Sequence, residues 1–112
     1  IIEKSEIKFG DVAISYIDDF EENSNVIAAQ SADELLTIKD VKASFVLVKN
    51  KDYINISGRS MGQVNVQVIM EYLGGGGHLN MAGAQIQTTD MDEAKAKLYD
   101  AIIRYKKEIE EK

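Results

Sequence analysis

The segment Ala43-Ser-Phe-Val-Leu-Val-Lys49 sets the terms on which this chain folds. It is short, rich in Val and Phe, and reads as a buried strand. Asn50-Lys51 supplies a tight turn. Asp52 to Ser57 then returns as the hairpin partner, with Ile54 and Ile56 on one face. A two-stranded hairpin is marginal in water by itself, so the rest of the chain has to extend and cover it.

The flanking sequence predicts such elements. Lys8 and Phe9 lead through the turn signal Gly10-Asp11 into a strand over Val12–Ile17, where Val12, Ile14 and Tyr16 share a face. Asp18 to Ser24 reads as a polar loop. Asn23 to Asn25 offer N-caps for a helix running to about Leu36, striped by Val26, Ile27, Ala29, Ala32, Leu35 and Leu36. Ser60-Met-Gly-Gln63 has the form of a capping box and predicts a helix from Ser60 to Leu73. Val64, Val66 and Val68 alternate as a strand would, but the box, the length and the glycines beyond favour a largely buried helix. After Gly74–Gly77, Ala84–Gln87 reads as a short strand. Asp90-Met-Asp-Glu93 is a second capping box, opening a helix striped by Ala94, Leu98, Ala101, Ile102, Tyr105 and Ile109. Glu108, Glu110 and Glu111 oppose its dipole and predict a frayed end. The order β-β-α-β-β-α-β-α predicts an α/β (α+β) fold. Residues 1–112 would form a single domain, with a mixed sheet of about five strands and three helices packed on it.

Composition narrows the function. Apolar residues are 45% of the 112 and charged residues 29%, as in a globular chain. No apolar run approaches the ~20 residues that cross a bilayer. Ile1-Ile2 runs at once into Glu3-Lys4, unlike a secretory leader, and an initial Ile suggests a piece of a longer polypeptide. Thirteen Lys and Arg against nineteen Asp and Glu leave a net charge of −6, which argues against long nucleic acids as partners. Short anionic ligands need only a few local donors. Without cysteine there is no disulfide or thiolate chemistry, and one histidine excludes a multi-histidine metal cage within the chain.

Two segments carry candidate chemistry. In Gly74-Gly-Gly-Gly-His78, four glycines precede the sole histidine. Each costs about 0.5–1 kcal/mol of backbone entropy relative to alanine, and one suffices for a helix C-cap. The run is either a cap with a flexible turn or a bare-backbone cradle for an anion, with His78 as an extra donor. It lacks the Lys-Ser/Thr of a Walker loop and the spacing of a dinucleotide fingerprint. In Ser57-Gly-Arg-Ser60, expected where a strand gives way to the buried helix, Arg59 offers a bidentate fork for phosphate and Ser60 an N-cap. A surface arginine with an ordinary cap is the plainer reading. A thirteen-residue helix between the segments would be ~20 Å long, so both serve one ligand only if the loops share a cleft. Asp18, Asp19, Glu21 and Glu22 read as a solvated acidic loop, and Phe45 and Tyr53 are weak candidates for stacking on a base.

Ser57-Gly-Arg-Ser60, Gly62-x-Val-Asn65-Val-Gln67 and Gly74-Gly-Gly-Gly-His78-x-x-x-Ala82-Gly-Ala-Gln85 resemble the DHH-associated C-terminal domain of the DHH phosphoesterase superfamily. With Asn25-Val-Ile-Ala-Ala-Gln-Ser-Ala-Asp-Glu-Leu-Leu36, the likeness points to the membrane-anchored bacterial cyclic-di-AMP phosphodiesterase branch and covers roughly residues 9 to 105. Asn80 and Met81 stand where many relatives carry small or hydroxyl residues. The resemblance implies a substrate-binding domain beside an upstream DHH domain that holds two Mn²⁺ ions and opens cyclic-di-AMP to pApA. Carried over by position, Arg59 and Ser60 would contact phosphate, Gly75, Gly76 and Gly77 would approach by backbone, and His78 would bond a phosphate or a base edge. No catalytic or metal-ligating residue is expected in this chain, which would lack hydrolytic activity alone. The implied partners are a cyclic dinucleotide or short oligonucleotide, the DHH domain and a second copy in a homodimer, at the cytoplasmic side of a bacterial membrane. Alternatives are a nanoRNase/pAp phosphatase domain and a non-catalytic dimerisation module.

Overall fold

The computed structural model describes residues 6–17 and 24–110. Nine elements follow in order: β1 Glu6–Lys8, β2 Val12–Ile17, α1 Ser24–Leu35, β3 Ala43–Lys49, β4 Ile54–Ser60, α2 Val66–Tyr72, β5 Gly76–His78, β6 Met81–Ile86 and α3 Met91–Glu110. The expected loop from Asp18 and its acidic cluster lie outside the described residues.

The strands form one mixed sheet in the order β1-β2-β3-β4-β6-β5. Only β2 and β3 run parallel, because α1 carries the chain from the end of one back to the start of the other. Every other neighbouring pair is antiparallel. The mixed sheet with three helices matches the fold class read from the sequence, with a sixth strand added at the edge.

The sheet buries its faces unequally. One face sends Val12, Ile14, Phe45, Leu47, Ile54, Ile56, Ala84 and Ile86 into a core closed by Val66, Ile69 and Met70 of α2 and by Ala94, Leu98 and Ile102 of α3. The other sends Ala13, Val46 and Val48 against Ala28, Ala32 and Leu35 of α1. β3 is therefore covered on both sides, as its unbroken apolar run requires. Phe45 is fully buried in the larger core, so it is not available to stack on a base.

Four local expectations change. The strand expected over Ala84–Gln87 runs instead over Met81–Ile86. The hairpin partner does not stop at Ser57: β4 continues through Ser60, pairing Arg59 with Ser44 and Ser60 with Ala43. The helix does not begin at Ser60. The Ser60 hydroxyl instead donates to the Val64 carbonyl at 2.6 Å and accepts from the Gly62 amide at 3.2 Å, closing a turn. Asn65 is the actual cap, its side chain accepting from the Val68 amide, and α2 spans seven residues. Finally, part of the glycine run is a strand. Asp90 caps α3 as expected, its carboxylate accepting from the Asp92 and Glu93 amides.

Candidate functional site

Pleating decides which side chains of β4 can meet a ligand. Ile54, Ile56, Gly58 and Ser60 face the larger core, while Asn55, Ser57 and Arg59 are half-buried on the α1 side. α1 packs over β2, β3 and β4. On β6 the alternate residues Met81 and Gln85 are exposed on that same side, and His78 of β5 is exposed too. The result is an open shelf made of half of one sheet face.

Register builds the shelf in three rows. Arg59 pairs with Met81, which pairs with His78. Ser57 pairs with Gly83, which pairs with Gly76. Asn55 pairs with Gln85. Residues opposite one another project to the same side, so Arg59 and His78 share the shelf about 10 Å apart, two strand spacings. The two candidate segments thus meet across neighbouring strands rather than from opposite ends of a long helix.

Arg59 lies at the boundary between α1 and the shelf. Its Nη1 donates to the Gly58 carbonyl at 2.9 Å, and its Nε stands 3.5 Å from Oδ1 of Asp33 on α1. The arginine side chain is 15% exposed and that of Asp33 69%. An ion pair with so exposed a partner is worth at most about 1 kcal/mol, so a phosphate can compete for the same guanidinium. Ser60 is different. It is buried on the opposite face, and its hydroxyl is engaged by the turn it closes.

The four glycines separate by cause. Gly74 has φ +85° and completes the cap of α2, with its amide bonded to the Glu71 carbonyl and that of Gly75 to the Met70 carbonyl. A Cβ on Gly75 would stand 2.1 Å from the Gly83 carbonyl oxygen, and one on Gly77 would stand 2.5 Å from the Cα of Ala82. Those three positions have structural reasons to be glycine. Gly76 has none: its φ is ordinary, and a Cβ there would meet nothing within 4 Å. It lies on the shelf in the row next to Arg59 and His78, where a missing side chain leaves the main chain open to a close-lying ligand.

A depression of about 450 Å³ continues the shelf, lined by Asn55, Gly75, Gly83, Gln85 and Gln87 among others. The sequence reading missed Asn55 and Gln85; the alternating polar phase Asn55, Ser57, Arg59 was the signal, once β4 is extended to Ser60. A larger depression, about 540 Å³, lies on the helical side between Tyr72, Lys97 and Arg104. Its cations are already paired, Lys97 with Glu93 and Arg104 with Glu108. There is one histidine, and among the described residues no three His, Asp or Glu side chains gather to hold a metal ion.

The family model described as the DHHA1 domain matches residues 10–107. The chain is 48% identical over 106 residues to "Cyclic-di-AMP phosphodiesterase GdpP" of Geobacillus thermodenitrificans, and 47% identical over 106 residues to "Cyclic-di-AMP phosphodiesterase PdeA" of Listeria monocytogenes. Each match covers 94% of this chain and 16% of the relative, so the chain spans a small part of those proteins' length. Among solved structures, an exopolyphosphatase-related protein from Bacteroides fragilis superposes with a TM-score of 0.79 at 25% identity, covering 97% of this chain and 34% of that one.

Proposed function

Because the chain belongs to the DHHA1 domain family, we propose that it is the substrate-gripping part of a cyclic-di-AMP phosphodiesterase. The observation that carries this reading is the row Arg59–Met81–His78, which sets a guanidinium and an imidazole on one open face beside a glycine that packing does not require. A phosphoryl group laid across the row exchanges the weak Asp33 contact for charge-assisted bonds from Arg59. His78 donates from the other side, and Gly76 admits the ligand to the main chain. Gly75 and Gly77 hold β5 tightly against β6, and Ser60 supports the turn behind Arg59.

Hydrolysis belongs, on this reading, to a DHH domain outside the chain, whose two Mn²⁺ ions supply the activated water; the product is pApA. The proposal includes a cytoplasmic position in a protein anchored to a bacterial membrane. No helix among the described residues is long and apolar enough to cross a bilayer.

The test is a titration of the chain with pApA, followed by amide chemical shifts. Shifts concentrated at residues 75–78 and on β4 are expected. Arg59→Ala should weaken binding by about 10–100-fold, as loss of a charged hydrogen-bonding group does, with the urea midpoint unchanged. Amides that stay still along β5, or an Arg59→Ala chain that unfolds, would make these residues structural and end the reading.

A further inference from the structure

We infer that Asn55 and Gln85 form a reader for an adenine ring, contiguous with the phosphate-gripping row; the inference rests on the nucleotide reading above and names the base it takes. Asn55 and Gln85 stand directly opposite each other on β4 and β6, on the side that also carries Arg59 and His78. Asn55 is half-buried and Gln85 exposed. Neither carboxamide has a side-chain hydrogen-bond partner among the described residues, although every other shelf row is either charged or glycine-lined. Two facing, unengaged carboxamides at the floor of a depression form a polar surface with nothing of its own to bind.

The chemistry of the lining suits the N6/N7 edge of adenine. A carboxamide presents one acceptor and one donor side by side. The N6/N7 edge of adenine presents the complementary donor and acceptor, so one Asn or Gln can bond it twice. The same edge of guanine presents two acceptors, O6 and N7, which Arg or Lys serves best. The depression is lined by Asn55, Gln85 and Gln87 with Gly74, Gly75, Gly83 and Ala84, and none of these is charged. Gly83, which shares the shelf phase with Ser57, keeps its floor low enough for a flat ring to lie on backbone.

The spacing fits one nucleotide. Asn55 and Arg59 are four residues apart on β4, about 13 Å at the rise of an extended strand. Between them the row Ser57–Gly83–Gly76 is narrow and nearly free of side chains, which suits a ribose. Phosphate, sugar and base would then lie along β4 in that order.

The experiment compares pApA with pGpG on the chain, by calorimetric titration, for the wild type, Asn55→Ala/Gln85→Ala and Arg59→Ala, each checked for its urea midpoint. The wild type should prefer pApA by about tenfold or more, the discrimination one bidentate base contact gives. The double variant should bring the two affinities within about threefold by weakening pApA alone. If the double variant unfolds, Gln85→Ala, an exposed change, replaces it with the same expectation at smaller amplitude. A wild type that binds both ligands through Arg59 without preference, or a variant that keeps the preference, overturns the reader and leaves the phosphate grip standing. A wild type that binds neither overturns the grip, and the reader falls with it.

Discussion

Replacing the glycines of Gly74–Gly77 one at a time with alanine should give sharply graded stabilities. The added Cβ at Gly75 would lie 2.1 Å from the Gly83 carbonyl oxygen and 2.7 Å from both Cα and Cβ of Ala84. To regain contact distance, β5 must retreat from β6 by roughly 1 Å, and the obstacle is backbone, which cannot rotate aside. Overpacking of this kind costs about 1–3 kcal/mol, and a backbone obstacle puts Gly75→Ala at the upper end. For a chain of this size about 3 kcal/mol is on the order of 12 °C in Tm. Gly77→Ala should match or exceed it, since it adds a φ of +147° to a 2.5 Å approach. Gly74→Ala has open space but φ +85°, and should cost about 1 kcal/mol. Gly76→Ala should be neutral, or gain about 0.4–1 kcal/mol from a less flexible unfolded chain. Urea unfolding followed by circular dichroism measures all four, with equal m-values as the check that only stability has changed. A Gly75→Ala chain within about 0.5 kcal/mol of wild type, or a Gly76→Ala chain as damaged as Gly75→Ala, would refute the β5–β6 register on which the shelf depends.

Ser60→Ala should lose about 1–2 kcal/mol in the same urea assay, because it leaves the buried Val64 carbonyl and the Gly62 amide without their hydroxyl partner. Asp90→Ala should cost about 1 kcal/mol by uncapping α3, read as a lower thermal midpoint. Tyr99 is pushed up to about 12 by burial and by its hydrogen bond to Glu6. A raised folded-state value means its stabilisation is intact below pH 10 and disappears as pH climbs from 10 through 12. Tyr72 is raised too, by its hydrogen bond to Glu108, so phenolate absorbance should show a component near pH 12 that Tyr99→Phe removes, and a Tyr99 that ionises near pH 10 would contradict the packing of β1 against α3.

The elements with strong internal signals were legible in advance. β2, β3, α1 and α3 lie within a residue or two of their expected bounds, since aliphatic periodicity and the Asp90 cap declare them locally. The region from Gly58 to His78 was not. Ser60 and Gln63 have the spacing of a capping box, but Ser60 is held in β4 by Ala43 and its hydroxyl turns back to Val64, so the cap falls to Asn65. Gly58 resembles a strand end until Phe45 is seen beneath it, where a Cβ would come within 2.9 Å of the ring. β5 was missed because glycine has little strand propensity; this strand exists only because Gly75 and Gly77 let it lie against Ala82 and Ala84. Arg59, Gly76 and His78 were named from residue type and from the family resemblance. Their common face, and the carboxamides further along it, depend on a strand register that no local pattern encodes.

Two helices share one side of this six-stranded sheet, and a single twelve-residue helix has the other to itself. A lone cylinder some 10 Å wide cannot roof a floor of six strands spaced about 4.8 Å apart. Wherever it settles, part of the floor is left uncovered. Here α1 settles over β3 and its neighbours β2 and β4, and the ground surrendered to solvent, out toward β6 and β5, is the stretch that carries the imidazole and the glycines, with the guanidinium at its border. Lengthening the β5–β6 turn with a helical insertion would roof that ground, gaining buried area while closing the shelf to a ligand.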